Sequence, residues 1–549
     1  MSFENFNVLD YGADPTGNDN SWQAFKDWSI AISKAGGGMG LVPPGTYKID
    51  KVAVAGPGGW TGIGPEDFKF EGCEGLWLVG YGAKLNLTGN VHLALLPDGS
   101  SDQHMVCPFF IQDCANVCLE GFEINGNADK LTQDAGVSEP GGHCVTISNS
   151  VHVTIRQMRI HHGWTDGISI RAAFEGTRLA CRNVVIENCE IYAHVRACIA
   201  VHETRHMRIS DCRIYDSGMG IDIEPDLRIG TEFDKDIRPP GSSRFTIIEN
   251  CEIYNNEKPL SVGVRYSQVR VQGCFIDNQR NDQQPVILSV PHCAMLDCEI
   301  NTGTGRIDVA LTGAEPGGNV FTMERCLIRA TSGEGLFIVP AVGRIAQALI
   351  ANCRFICEAT GPTEKGFPLI ETGRDLLMLT FRDNYTFIPS ASYSKEEPQK
   401  TIGFKVCSTV AASLAENNVW ETDYAGDDTH YLGVYYHTDF SEYPKYPILV
   451  RNDRFISPNN KGIIPFDATD HDNHFPFSGG ISAIGDEINL GKQRIKYGGT
   501  AAPSSGSFNQ GDIIFNNNVN KGESLGWVCV VKGTAGVDAE FRAMPPVGV

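Results

Sequence analysis

The sequence predicts an all-β parallel solenoid, and three observations carry that expectation. The lines VVIENCEIY, MRISDCRIY, FTIIENCEIY, VRVQGCFID and AMLDCEIN repeat one pattern around Cys189, Cys212, Cys251, Cys274 and Cys298. The intervals Cys189–Cys212 and Cys251–Cys274 are 23 residues and Cys274–Cys298 is 24, and a fixed period of this size marks one supersecondary unit stacked on copies of itself. Within each line apolar residues alternate with polar ones at period two, and no helical stripe appears.

The first element is a helix. Asn20 or Ser21 can cap it, Trp22, Phe25, Trp28 and Ile32 recur at helical spacing, and Gly36 to Gly38 stop it. The strand GLVPPGTYKI follows. A solenoid must cover its open end, and an amphipathic helix serves as that cap. The stretch FNVLDYGADPTGNDNSWQAFKDWSIAISKAGGGMGLVPPGTYKI, over residues 6 to 50, closely resembles the N-terminal signature of the pectate-lyase-like superfamily, found on phage tailspikes and many bacterial polysaccharide-active proteins. The resemblance implies a right-handed single-stranded parallel β-helix.

Coils are expected from about residue 70 to about 465, after an irregular region that includes the loop GPGGWTGIGPEDF. Later turns lengthen, with Cys298 to Cys326 spanning 28 residues and Cys326 to Cys353 spanning 27. Asn188, Asp211, Asn250, Asp297 and Asn352 each precede a ladder cysteine, which places a column of Asx side chains at a tight corner. The period breaks after about residue 475, where short strands alternate with glycine turns. There GDIIFN…GWVCVVKGTAG resembles a C-terminal module of phage tail proteins, implying a small β-domain for trimer contacts or carbohydrate binding. The expected organisation is a cap over 1–50, a catalytic β-helix over 51–470 and a C-terminal β-rich module over 471–549.

Bulk composition narrows the partners. A net charge of −21 argues against nucleic acid and anionic membranes. No apolar run approaches membrane-spanning length, and the opening MSFENFNVLDYG carries neither a basic nor an apolar leader segment, so export by a signal peptide is not expected for the chain as given. The 18 cysteines are too dilute for a disulfide scaffold; sharing one phase of the repeat, they read as a ladder of reduced, buried thiols. No C-x-x-C pair with zinc spacing occurs, and no metal or cofactor is expected.

Chemistry is expected where alternate residues point outward from consecutive strands. In GISIR, CIAVHE, GIDIEPD and LSVGVR the inward residues are apolar. Facing out, one column reads Arg171, His202, Glu224 and Gly263, and its neighbour reads Ser169, Ala200, Asp222 and Ser261, with Asp226 level with Arg265. Asp222 and Glu224 lie two residues apart, so their Cα atoms are roughly 6.6 Å apart. Glycosidic cleavage needs such a pair: one protonated acid and one ionised partner, about 6.5–9.5 Å apart for inversion. Like charges this close drive the two pKa values apart.

His202, Arg171 and Arg265 would bind substrate or tune the pair. In HHGWTDG, Trp164 would stack on a sugar and Asp166 is a further contact. The loop 227–242 would wall the groove. The superfamily resemblance adds an extracellular or virion-associated setting, a homotrimer and a polysaccharide substrate, because such enzymes work on an exposed sheet of the middle coils. The expected activity is therefore a tailspike-like depolymerase acting by hydrolysis, with Asp222, Glu224 and Asp226 catalytic. Two alternatives remain open. One is a lyase or epimerase on a uronate, using Arg265, Arg171, His202 and Tyr266; the other is a non-catalytic glycan adhesin. The polygalacturonase series NTD…DD…GHG…RIK is absent, as are phosphate-loop, Ser-His-Asp and HExxH signatures.

Overall fold

The computed structural model describes residues 4–54, 64–97, 99, 101–137, 141–171, 181–202, 204–223, 245–263, 268–278, 286–303, 305–311, 319–331, 335–340, 346–358, 369–372, 376–389, 402–407, 412–423, 431–437, 448–451, 453–456, 482–484, 487–490, 493–499, 501–504, 507–516 and 524–545. By internal contacts the chain divides into Met1–Leu327 and Ile328–Val549.

In the first unit each coil lays down three strands in a fixed order, one on each of three parallel faces. Phe109–Gln112, Val145–Ser148, Ile168–Arg171, Ala197–Val201, Met219–Ile223, Lys258–Val262, Val286–Ser289 and Ile307–Leu311 form face 1. Face 2 is built from Ala115–Glu120, Val151–Arg156, Cys181–Glu187, Thr204–Ser210, Phe245–Glu249, Gln268–Gln272 and His292–Leu296, and face 3 from Glu123–Asn125, Arg159–His161, Glu190–Tyr192, Arg213–Tyr215, Glu252–Tyr254, Phe275–Asp277 and Glu299–Asn301. Register follows the inward residues. On face 3, Leu85, Ile124, Ile160, Ile191, Ile214, Ile253, Ile276 and Ile300 stack rung on rung, all fully buried. Each isoleucine removed from water stabilises the stack by roughly 1.5–3 kcal/mol, and a one-residue slip would turn the whole column outward.

The corner between faces 2 and 3 explains the Asx–Cys pattern. Asn188, Asp211, Asn250 and Asp297 have φ of 53°, 55°, 53° and 54°, the left-handed region that Asn and Asp tolerate best among side chains with a Cβ. Gly273 fills the same position with φ 62°. The next residue is the ladder cysteine, whose thiol donates to the carbonyl two residues back: Cys189 to Glu187 (3.3 Å), Cys212 to Ser210 (3.2 Å), Cys251 to Glu249 (3.3 Å), Cys274 to Gln272 (3.4 Å) and Cys298 to Leu296 (3.2 Å). Each of these carbonyls also accepts a backbone N–H from the preceding coil, so the cysteines act as small hydrophobes whose thiols add a second, weak hydrogen bond at the corner. No disulfide joins any of the described cysteines.

The N-terminal helix α1, Trp22–Ala35, buries Phe25, Trp28 and Ile32 and ends at Gly36 in the left-handed conformation. Asn20 Oδ1 accepts from the Trp22 N–H (3.0 Å), which is the turn expected before the helix. The strands beside it are already coil: Gly38–Leu41 pairs in parallel with Glu74–Val79, and Gly45–Ile49 with Ala83–Leu87.

The second unit has its own parallel pairs, among them Arg354–Cys357 with Tyr385–Ile388 and the latter with Val419–Thr422. There asparagine replaces cysteine in the ladder: Asn384 and Asn418 are buried and donate to Ile350 and Phe381 carbonyls, each at 3.0 Å. A separate six-stranded mixed sheet spans Ser482–Ile484 to Glu540–Ala543 around Phe508, Ile514, Cys529 and Ala535.

The corner geometry yields a test. Asn188 is exposed, so replacing it changes little but the backbone demand. Asn188→Ala is expected to lower stability by about 1 kcal/mol, because alanine lacks the short polar side chain that offsets the left-handed strain in asparagine, whereas Asn188→Gly, which carries no Cβ, stays near wild type. Urea denaturation midpoints of the two variants check this, and equal midpoints would contradict it.

Candidate active site

Face 1 carries one of the two predicted columns in the predicted register. Ser169 pairs with Ala200, Ala200 with Asp222 and Asp222 with Ser261. Arg171 pairs with Ser148 on the coil before it, and the His202 backbone N–H donates to Ile170 O (2.8 Å) one rung on. The inward partners Ile168, Ile170, Ile199, Ile221 and Ile223 are fully buried. Glu224, Asp226, Arg265, Tyr266 and the loop 227–242 lie outside the described residues.

Exposure departs from expectation. The outward column is covered rather than solvated: Ser169 is 0% exposed, Asp222 4% and Arg171 9%. Arg171 sits over the Phe110 ring, 5.5 Å from its centroid, and His202 is half-buried.

Trp164 takes a different role from sugar stacking. Its ring is 1% exposed and its indole N–H donates to Gly126 O (2.9 Å), so it packs in the interior and offers no face to a ligand. Asp166 is likewise not a surface contact. It is fully buried and receives two hydrogen bonds from Arg196, Nε to Oδ1 at 2.8 Å and Nη2 to Oδ2 at 2.6 Å. His143 Nδ1 lies 3.1 Å from Oδ2, and the Ala197 N–H reaches Oδ1 at 3.3 Å.

The electrostatics split the two carboxyls. At Asp166 burial pushes upward, but the Arg196 guanidinium and then His143 outweigh it and hold the acid far below the carboxylate range. At Asp222 burial dominates and raises the pKa; Asp166 adds to the rise, while Arg196, a hydrogen bond from Ser261 and Lys258 oppose it. Burial also lowers His143, against the pull of Asp166, which keeps the imidazole neutral. Two carboxyls in one electrostatic neighbourhood with opposite shifts are the arrangement that acid/base chemistry uses. The buried hydroxyls of Thr165 and Ser169 have no hydrogen-bond partner among the described residues.

Arg196 and His143, which pack against Asp166, are the members of this polar cluster that sequence reasoning missed. Their signal was phase: GGHCVTI, WTDGISI and HVRACIA are consecutive versions of one strand entry, so His143, Asp166 and Arg196 fall at neighbouring rungs. Among the described residues no cluster of His, Cys, Asp or Glu has the arrangement of a metal site.

Comparisons with known proteins agree with the architecture. Residues 103–228 match the family model described as "Right handed beta helix region". Similar solved structures include the A-module of an Azotobacter vinelandii mannuronan C-5 epimerase, at 12% identity over 83% of this chain and 100% of that one, with a TM-score of 0.38. A surface adhesin of Streptococcus pneumoniae is 11% identical over 80% and 94%, with a TM-score of 0.40. A capsular polysaccharide depolymerase tailspike of an Acinetobacter baumannii bacteriophage is 10% identical over 89% and 69%, with a TM-score of 0.34. No curated protein matches in sequence. The strand order, the stacked registers and the matched segment together make the fold a right-handed parallel β-helix.

Proposed function

We propose that the protein is a depolymerase that hydrolyses glycosidic bonds of a bacterial surface or extracellular polysaccharide on face 1, with Asp222 as the general acid. The observation that supports this most is the opposed pair: a nearly buried carboxyl with a raised pKa beside a second carboxyl held ionised by a guanidinium. Protonated Asp222 gives its proton to the leaving glycosidic oxygen, and water attacks the anomeric carbon while a carboxylate takes up the water proton. Glu224, two residues along the chain, is the partner proposed for that second role, with Asp226 assisting. Asp166 is saturated by Arg196, His143 and a backbone N–H, so it serves as a positioning residue that fixes the Arg196 charge near Asp222. Arg171 and His202 flank the acid and would contact the sugar. A homotrimer, with the C-terminal module in its contacts, and an extracellular or virion-associated setting belong to the same proposal.

Mass spectrometry of products from a panel of bacterial capsular and exopolysaccharides tests the reaction class. Fragments carrying an added water support hydrolysis. Unsaturated ends would move the assignment to a uronate lyase, and binding without cleavage would make the chain an adhesin.

Two outcomes are expected for Asp222→Asn. Cleavage falls by about 10²–10⁴, the usual contribution of a general acid, while the β-sheet circular dichroism spectrum is kept; undiminished cleavage would remove Asp222 from the mechanism. Stability moves the other way. A carboxyl raised above its ordinary 3.8 on folding lowers stability as pH climbs from that value through the folded one. Asp222→Asn is therefore more stable than wild type at pH 7, and the difference closes below pH 3.8. Denaturant titrations at pH 3 and pH 7 measure it.

A further inference from the structure

A groove of about 570 Å³ runs along the corner between faces 2 and 3, away from the strands of face 1. Its walls carry Lys84, Arg159 and Arg213 against Glu123, Glu190 and Asp211, three cations and three anions, together with the amides Gln157 and Asn188. The charges alternate rung by rung. Lys84 bonds Glu123 (2.8 Å), Arg159 bonds Glu190 (3.2 Å) and Arg213 bonds Glu190 (3.3 Å). Such a lining presents many donors and acceptors without net charge.

At one end of this groove an aromatic ring is held out flat. Tyr81 is 48% exposed, its hydroxyl donates to Gln157 Oε1 two coils away, and its ring crosses the rung of Gly121. A Cβ at Gly121 would sit 2.8 Å from that ring, and the residue also needs φ +82°, so glycine is required there twice over. Beside it Trp77 is 40% exposed, with its indole N–H on Glu120 Oε1 (3.1 Å), and Glu120 in turn pairs with Arg156 (2.5 Å). Two large rings fixed at the surface by hydrogen bonds contribute nothing to the core. Flat apolar faces beside neutral, hydrogen-bonding walls are what a pyranose presents in complement: an apolar C–H face and a rim of hydroxyls.

We propose that this corner is a second glycan-binding site, which takes an extended chain of uncharged hexopyranoses with one sugar on Tyr81 and the rest lying along the groove. The rungs repeat every ~4.8 Å, close to the length of one pyranose in an extended chain, so successive sugars meet polar rungs that offer donors and acceptors in turn. The balanced lining excludes a polyuronate as the preferred ligand. The site retains polysaccharide independently of the cleavage face and does not require the acid assigned to Asp222.

Saturation-transfer NMR with the full chain tests this, using cellohexaose, maltohexaose, laminarihexaose and isomaltohexaose against trigalacturonate. At least one neutral hexasaccharide should bind, and Tyr81→Ala should weaken it by about tenfold, the scale of a lost stacking contact, while Tyr81→Phe keeps most of the affinity. Asp222→Asn should bind as wild type does. Binding lost in Asp222→Asn but kept in Tyr81→Ala would place the only glycan site on face 1 and overturn the proposal, leaving the cleavage assignment standing. Preference for trigalacturonate, or no signal from any neutral probe, overturns it equally.

Discussion

Everything in the first unit depends on like stacking on like. The isoleucine column from Ile124 to Ile300 is buried at every rung, and it can be so only if every coil closes on the same number of strand positions. The corner between faces 2 and 3 enforces that count. A left-handed Asx or glycine turns the chain, and the following cysteine fills the interior while its thiol adds a second, weak hydrogen bond to a carbonyl that already accepts a backbone N–H from the preceding coil. A serine there would fill less space and bury a stronger polar group, and an alanine would leave a void at every rung; a thiol is larger than either and only weakly polar. Cysteine meets both demands, which explains why the residue recurs without forming disulfides.

That regular scaffold lets face 1 carry polar groups at a cost to stability. Asp166 and His143 are buried on adjacent rungs, and Arg196 on the next is half-buried over them, so removing either neighbour leaves the Asp166 charge less compensated. Asp222 has no such closed set of partners: burial dominates its titration, and its neighbours only partly oppose it. A residue that destabilises the fold by its own ionisation persists where its chemistry is used. The contrast between a saturated carboxylate and an unsaturated one separates the positioning role proposed for Asp166 from the acid role proposed for Asp222.

Much of this was legible in the sequence because a solenoid converts spacing into neighbourhood. The columns Ser169–Ala200–Asp222–Ser261 follow from strand parity alone, and the structure places them in that register. The Asx corner and the buried thiols follow from composition at a fixed phase. Burial on the outward side did not follow, because parity says which way a side chain points and not what covers it; Asp222 and Ser169 were expected in solvent for that reason. Trp164 escaped too. It lies in a segment between faces, where period two does not apply, and its indole is drawn inward to the Gly126 carbonyl. The Arg196–Asp166 pair joins residues 30 apart in sequence, visible only once HVRACIA is recognised as the rung after WTDGISI.

The charge distribution links the two surfaces. The chain carries −21 overall, yet the corner groove balances three cations with three anions. Ion pairs on an exposed ladder contribute little to stability, about 0–1 kcal/mol each, so stability alone gives weak reason to alternate sign at every rung. Alternation does have a consequence for recognition: it cancels the field along the groove while keeping donors and acceptors at each step. A chain of hydroxyls gains from that arrangement and a chain of carboxylates does not. An acidic protein that repels polyanions at long range and balances its charges rung by rung in this groove has the electrostatics that the proposed site for uncharged polysaccharide requires.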